Sequence, residues 1–559
     1  MYFSTVIFVL FGAVAQVALA DEVSDALSAT PTATIASGRI IGTTTSITGP
    51  SGSVAVNKFL GIPYAAAPTG EARFTPPQPP AQWDTLETKD FGNSCIQVFA
   101  PLSNRPFVEA VFNYPPPKNE SEDCLYINVF APKKGWDLGS PPYPVMYWMY
   151  GGAWKFGNAG QSMYDGSHFA ALEDVVLVSV NYRTNVFGLP ISPAITNLTD
   201  RNLALLDQRA GLQWVQDNIH HFGGDKSRVT IFGESAGAYA TDVLITSYAP
   251  SAPRPFQAGI MESGTYAYLP IPNCNNSDYL AWNTLIAALN CTAGDATAQF
   301  NCVKYNRTHD DIKLAQENVT TIYNTTITFS HACDNITHVS DPRTRLENNN
   351  VADVPVVLGT NTADGSFYTI QYVFNTARYL QDYFGNNETL KNAILNEYPL
   401  NEEGRSDEQY RMQQIHTDWF FHCPTVWYAQ TSTQFKPTYR YLFNATFNNT
   451  RVQWALWPVE YQGAYHSSEI PIVFTNLNTT IAPNDAGEVD LSNAMRGAWA
   501  HFARDPTTAP IGTWPRVGAA ADGRDVMSFG TDTKGMYGPV NDSNHCQFWA
   551  DHGFRTRHL

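Results

Sequence analysis

Charge is scarce in this chain. Only 15 % of its 559 residues are Asp, Glu, Lys or Arg, against a usual quarter or so. Something other than charged side chains must therefore keep the surface soluble. The charge present is acidic: 34 basic against 51 acidic residues leave a net −17, and no run of Lys and Arg offsets it. Nucleic acid and anionic membranes repel such a chain, which argues against both as partners. Also missing is an apolar run of the ~20 residues needed to span a bilayer. The tail from His545 to Leu559 is polar and holds no hydrophobic lipid-anchor signal. No Cys-x-x-Cys or His-x-x-x-His spacing occurs, so no metal centre is expected. Internal repeats, heptads and low-complexity tracts are absent as well.

What is present points to export. Residues 1–20 combine a short apolar stretch, Val6 to Gly12, with the closing Ala18-Leu19-Ala20, the pattern of a cleavable signal peptide. A flexible leader is expected over 21–37 and a single catalytic domain over 38–559. Asn-x-Ser/Thr sequons stand at Asn119, Asn197, Asn275, Asn290, Asn306, Asn318, Asn324, Asn335, Asn387, Asn444, Asn448, Asn478 and Asn541. Sugars at such sites would supply the solubility that charge does not. The eight cysteines are an even number, as an oxidising compartment favours.

Hydrophobic residues at 43 % and aromatics at 13 % can fill a large core. Continuous apolar runs at Pro144–Tyr150, Asp174–Asn181, Val229–Phe232 and Val354–Gly359 read as buried strands. Leu203 to Ile219 carries apolar residues at helical spacing. Buried strands separated by a helix imply a parallel sheet covered on both faces. Residues 270–350 hold sequons and few strong patterns, and are expected to lie as an insertion over the sheet. The third strand runs into Gly233-Glu234-Ser235-Ala236-Gly237. In a Gly-x-Ser-x-Gly elbow the serine stands on a sharp strand-to-helix turn, and the flanking glycines remove Cβ atoms that would clash there.

Two longer stretches extend this reading. Phe222-Gly223-Gly224-Asp225-Lys226-Ser227-Arg228 leads unbroken into the elbow, and Glu122-Asp123-Cys124-Leu125-Tyr126-Ile127-Asn128-Val129-Phe130-Ala131-Pro132 lies upstream. Together they resemble the two signatures of the type-B carboxylesterase/lipase family, cholinesterases and secreted fungal lipases included. The resemblance covers nearly the whole mature chain. It implies an α/β-hydrolase fold, with a large, mostly parallel sheet, helices on both faces and a disulfide-closed lid or gorge loop. It implies no cofactor.

Ester hydrolysis through a serine needs a base, an acid that orients it and donors for the oxyanion. Gly463-Ala464-Tyr465-His466-Ser467-Ser468-Glu469-Ile470 resembles the family's histidine loop and makes His466 the base. His220 and His221, which follow a helix, are expected to interact with its last carbonyls. Gly359-Thr360-Asn361-Thr362-Ala363-Asp364-Gly365 aligns with the acid segment, where the family usually has glutamate and this chain has Asp364. Glu469 is the nearest rival acid, expected instead to support His466, and Glu234 is read as a buried neighbour of the nucleophile. Tyr150-Gly151-Gly152-Ala153-Trp154 resembles the oxyanion loop, implying the N–H groups of Gly152, Ala153 and Ala236 as donors, with Trp154 either walling a pocket or packing in the core. The resemblance also implies bridges Cys95–Cys124, Cys291–Cys302 and Cys423–Cys546, leaving Cys274 and Cys333 to pair.

The loop between Cys95 and Cys124 bears on substrate. Its apolar residues Ile96, Val98, Phe99, Phe107, Val108, Val111 and Phe112 suit a lid or gorge wall. Where cholinesterases place a cation-binding tryptophan this chain has Tyr114, a weaker cation partner. The expected activity is a secreted serine esterase or lipase cleaving apolar acyl esters, a small molecule or lipid, with transient contact at a lipid interface. Alternatives are a sterol, carotenoid or feruloyl ester hydrolase, then a cholinesterase-like enzyme. A non-catalytic adhesion protein, as neuroligins are on this fold, is disfavoured by the presence of Ser235, Asp364 and His466.

Overall fold

The computed structural model describes residues 30–552 apart from 50–51, 100–104, 114, 118, 136–141, 269–275, 323–328, 401–406, 478, 481, 520–524, 531–536 and 541–544. The signal segment 1–20, Tyr114, Cys274 and the sequon residues Asn275, Asn324, Asn478 and Asn541 lie outside the described residues.

In chain order the described strands are β1 (Thr32–Ile35), β2 (Gly38–Ile41), β3 (Thr43–Gly49), β4 (Gly52–Pro63), β5 (Thr85–Glu87), β6 (Tyr126–Pro132) and β7 (Tyr143–Met149). They continue with β8 (Val176–Val180), β9 (Gly224–Glu234), β10 (Ala258–Glu262), β11 (Val356–Asn361), β12 (Thr438–Asn444), β13 (Val526–Gly530) and β14 (Tyr537–Val540). Among the described residues, β1, β2 and β5 make a small sheet, and the other strands form an 11-stranded sheet in the order β14-β13-β12-β11-β10-β9-β7-β8-β6-β4-β3. From β8 to β13 every pairing is parallel. Antiparallel strands finish both edges.

Alternation along β7 shows why its run is apolar throughout. Val145, Tyr147 and Met149 join one core with Leu212 and Val215 of the helix Leu203–Asn218. Met146 and Trp148 join the opposite core with Met495 and Trp499 of the helix Ala486–Arg504. With both faces covered, no position on the strand can be polar at low cost.

The register brings the strand ends together. Met149 of β7 and Met261 of β10 both flank Gly233, and Glu262 pairs with Glu234 on one side and Gly359 on the other. A crevice at the carboxyl ends of parallel strands is where such sheets place ligands.

One expectation needs correction. The leader does not run to residue 37, because Thr32–Ile35 pair with Gly38–Ile41 as a hairpin that buries Ala33, Ile35 and Ile40. The described residues of the stretch 270–350 are largely helical. They include the helices Leu280–Ala288, Ala296–Asn306 and His309–Ile322, which contribute Trp282, Val303 and Ile312 to the core.

Disulfides join Cys95 to Cys124, Cys291 to Cys302 and Cys423 to Cys546, with Cα separations of 4.9, 5.6 and 5.1 Å. Cys333 is also disulfide-bonded. The described sequon residues Asn119, Asn197, Asn290, Asn306, Asn318, Asn335, Asn387, Asn444 and Asn448 are all exposed. No described helix is long and apolar enough to cross a membrane.

Candidate active site

Ser235 sits between β9 and the helix Ala236–Ser247 with φ 55° and ψ −119°. A non-glycine residue there is strained, and surrounding structure must hold it. Two backbone bonds do so: Ser235 N–H donates to Glu262 O at 2.8 Å, and Tyr239 N–H donates to Ser235 O at 2.9 Å. The helix crosses so close to β7 that a Cβ on Gly237 would lie 1.9 Å from Met149 O. Only glycine fits this crossing.

Asp364 and His466 come from loops beyond β11 and β12. A bridge between Ala363 and Tyr465 binds the two loops, with Ala363 N–H donating to Ala464 O at 3.1 Å. His466 Nδ1 lies 2.8 Å from Asp364 Oδ1, and both side chains are buried. The other carboxylate oxygen, Oδ2, accepts from Ser263 Oγ at 3.0 Å and from Asn361 N–H at 2.8 Å. With Asp364 accepting at Oδ1, the imidazole proton sits on Nδ1 and Nε2 faces the nucleophile's side with its lone pair.

There Nε2 lies 3.1 Å from Glu234 Oε1, close enough for an ion pair but without hydrogen-bond alignment. Ser467 Oγ donates to the same Glu234 oxygen at 2.6 Å. So the structure joins Asp364 to His466 and sets Ser235 beside them through its neighbour Glu234. The serine–imidazole bond itself is not formed among the described contacts. Such bonds are often loose in the unliganded state and tighten with substrate.

Burial disfavours the imidazolium, yet the charge of Glu234 and then the bond and charge of Asp364 win, and the pKa of His466 is raised above 6.5. Burial in turn raises that of Glu234, opposed by His466, so the two titrate as a pair. A base must be neutral to accept a proton, so activity should rise with pH through a midpoint above 6.5. Glu234→Gln removes a negative charge beside Nε2 and should move the acid limb of kcat/KM to lower pH. A limb that stays in place or moves upward contradicts this electrostatic account.

The oxyanion candidates form a continuous turn. Gly152, Ala153 and Trp154 have φ of 112°, 53° and 61°. Among the described residues, the N–H groups of Gly152, Ala153 and Ala236 find no protein acceptor. Ala236 opens the helix that follows Ser235, whose first N–H groups are available to an anion. The ring of Trp154 packs on Tyr182, Tyr239 and His331 at centroid distances of 5.6, 5.7 and 4.4 Å.

An aromatic cover closes over the histidine. In the helix Arg105–Phe112, inside the Cys95–Cys124 loop, Phe107 and Phe112 lie 5.4 and 4.5 Å from Phe367. Phe112 also lies 6.2 Å from His466, with Phe421 at 4.7 Å on another side. Arg105 holds the polar face of the helix through Glu109 and Glu120.

Sequence reasoning missed several contacts. Ser263, at the end of β10, carried no signal beyond Ser-Gly after a strand. Glu469 does not touch His466: it accepts from Asn361 Nδ2, whose own backbone N–H serves Asp364. Burial, with Glu234 and Glu262 beside it, drives the Glu469 pKa well up. His220 and His221 lie far along the chain from these loops, their rings 3.9 Å apart.

A family model described as "Carboxylesterase family" matches residues 29–549. The chain is 33 % identical to the para-nitrobenzyl esterase of Bacillus subtilis (strain 168) over 475 residues, 82 % of this chain and 88 % of that protein. It is 29 % identical to the acetylcholinesterase of Electrophorus electricus over 516 residues, 80 % of this chain and 76 % of that protein. A solved thermophilic PNB esterase superposes with a TM-score of 0.71 at 27 % identity, covering 94 % of this chain and 100 % of that one.

Proposed function

We propose that this chain, which belongs to the carboxylesterase family and is a carboxylic-ester hydrolase, is a secreted serine enzyme cleaving esters of apolar acids. The observation that carries the serine assignment is the buried Asp364–His466 pair at 2.8 Å beside a strained elbow serine. Ser235 attacks the carbonyl carbon while its proton passes to His466 Nε2, and Asp364 steadies the imidazolium. The N–H groups of Gly152, Ala153 and Ala236 receive the oxyanion. The C–O bond to the alcohol breaks, and the alcohol leaves with the proton from His466. Water then repeats the sequence on the acyl-enzyme and frees the acid and Ser235.

The preference for apolar acyl groups rests on what surrounds the imidazole. Phe112 and Phe421 lie against it, Phe367 packs on Phe112, and Trp457 packs behind Phe107 at 5.7 Å. Each buried CH₂ of a substrate chain is worth about 0.8 kcal/mol in such surroundings, so kcat/KM for p-nitrophenyl esters should rise about tenfold or more from acetate to butyrate, and further to hexanoate. A profile that falls steadily from acetate contradicts the apolar assignment. Export is supported by the leader pattern, the disulfides and the exposed sequon asparagines. A mature N-terminus near Asp21 on secreted, glycan-bearing protein is the matching result.

A further inference from the structure

Between the helices Glu408–His416 and Cys423–Ser432 the chain winds as a π-helix over Thr417–His422. Such wide turns are rare and occur frequently at functional sites. The winding decides which side chains share a face. In an α-helix each residue turns by about 100°, which leaves residue i+5 about 140° away from residue i. A π-helix bonds each N–H five residues back, so residues i, i+4 and i+5 fall on one side. Thr417, Phe421 and His422 stand in that relation, and all three meet the segments that carry Asp364 and His466. Thr417 Oγ1 accepts from Gly365 N–H at 2.9 Å, directly after Asp364. His422 Nδ1 lies 3.1 Å from Thr360 Oγ1, on the strand that leads to Asp364. Phe421, only 4 % exposed, sets its ring 4.7 Å from that of His466. The turn is held on its far side as well. Asp418 accepts from the Tyr398 hydroxyl at 2.9 Å and from Gln414 Nε2 at 2.8 Å, and the Cys423–Cys546 bridge follows directly.

We propose that Phe421 is a positioning residue for the His466 imidazole, and that the π winding aims it there. The inference rests on Ser235 and His466 holding the roles proposed above. The hydrogen bond between Nδ1 and Asp364 Oδ1 fixes one corner of the His466 ring. A single bond leaves the ring free to swing about that corner and carry Nε2 away from the nucleophile. A bulky side chain packed on the ring removes that freedom. Tyr368 and Phe112 bound the imidazole nearly edge-on, at 5.6 and 6.2 Å, and Phe421 is the nearest of the three. Being apolar, it restrains the ring without offering Nε2 a competing hydrogen bond, and the lone pair stays available for the serine proton. Through Thr417 and His422 the same turn grips the chain on both sides of Asp364. Acid and base are thus set from one element. The expected benefit is large, because a misplacement of about 1 Å costs on the order of 10²-fold in rate.

The test compares Phe421→Ala, which removes the restraint, with Phe421→Leu, which keeps part of its bulk, in the full-length protein. Active molecules are counted by titration with a p-nitrophenyl phosphonate, so unfolded protein does not enter kcat. For p-nitrophenyl butyrate, Phe421→Ala should lower kcat and kcat/KM together by about 10²-fold, leaving KM within about threefold. Phe421→Leu should stand between, about tenfold below wild type by the same reasoning, again with KM little changed. A rise in KM at unchanged kcat would mean that the ring only binds substrate. Wild-type kcat in the Leu variant would mean that the ring does not hold the imidazole, whether or not the Ala variant folds. Either result overturns the proposal. Wild-type protein that takes no phosphonyl group on Ser235 would instead overturn the nucleophile assignment.

Discussion

Ser235→Ala is expected to lower kcat for ester hydrolysis by about 10⁶-fold, with the fold intact. Alanine keeps the Cβ and meets the same strain at φ 55°. The backbone bonds from Ser235 N–H to Glu262 O and from Tyr239 N–H to Ser235 O do not depend on the side chain. The N–H groups of Gly152, Ala153 and Ala236 are also untouched, so ester binding should survive the change. Oxyanion donors and binding alone leave a residual acceleration of about 10³–10⁴ over water. Steady-state kinetics beside thermal melting separates the cases: a folded variant retaining a tenth of wild-type kcat would show that the nucleophile lies elsewhere.

Asp364→Asn should reduce kcat by about 10⁴-fold, and the structure says why the amide cannot compensate. Its oxygen and nitrogen must occupy the sites of Oδ1 and Oδ2. The Oδ2 site faces the backbone N–H of Asn361 at 2.8 Å, a donor that cannot be reversed. The amide oxygen is therefore held there, and the NH₂ group faces His466 Nδ1. Two donors cannot share a hydrogen bond, so the imidazole moves its proton to Nε2. In that tautomer Nε2 cannot accept the proton of Ser235. The defect should appear in kcat with little change in KM, because Asp364 is buried behind the histidine. Near-normal turnover of this variant would assign the orienting acid to another carboxylate, with Glu469 the first to examine.

Much of this arrangement was legible in the chain before any coordinates. The strands at 143–149, 176–180 and 356–361 announced themselves because both of their faces are buried, which leaves uninterrupted apolar runs. The elbow was readable because its glycines answer a local steric demand, as the 1.9 Å approach at Gly237 shows. What escaped reading depended on partners distant in sequence. Nothing around Thr32–Ile35 signals that Gly38–Ile41 will pair with it, and its Ala and Thr content resembles a leader. The helices Leu280–Ala288 and Ala296–Asn306 bury few side chains, Trp282, Leu285 and Ile286 in one and Val303 and Lys304 in the other, so their apolar periodicity is weak. Glu469 looked like a companion of His466 because it is three residues away, whereas the turn of the chain sends it to Asn361. Tyr368 reads as an ordinary aromatic until the fold sets its ring against His416, Phe421 and His466.

The most direct test is covalent capture of the nucleophile. The intact protein, treated with a p-nitrophenyl phosphonate, is digested and its peptides are weighed. The geometry predicts one phosphonyl group per molecule, on Ser235, appearing in step with loss of esterase activity. Activity lost with the adduct on any other residue, or with Ser235 unmodified, would contradict it.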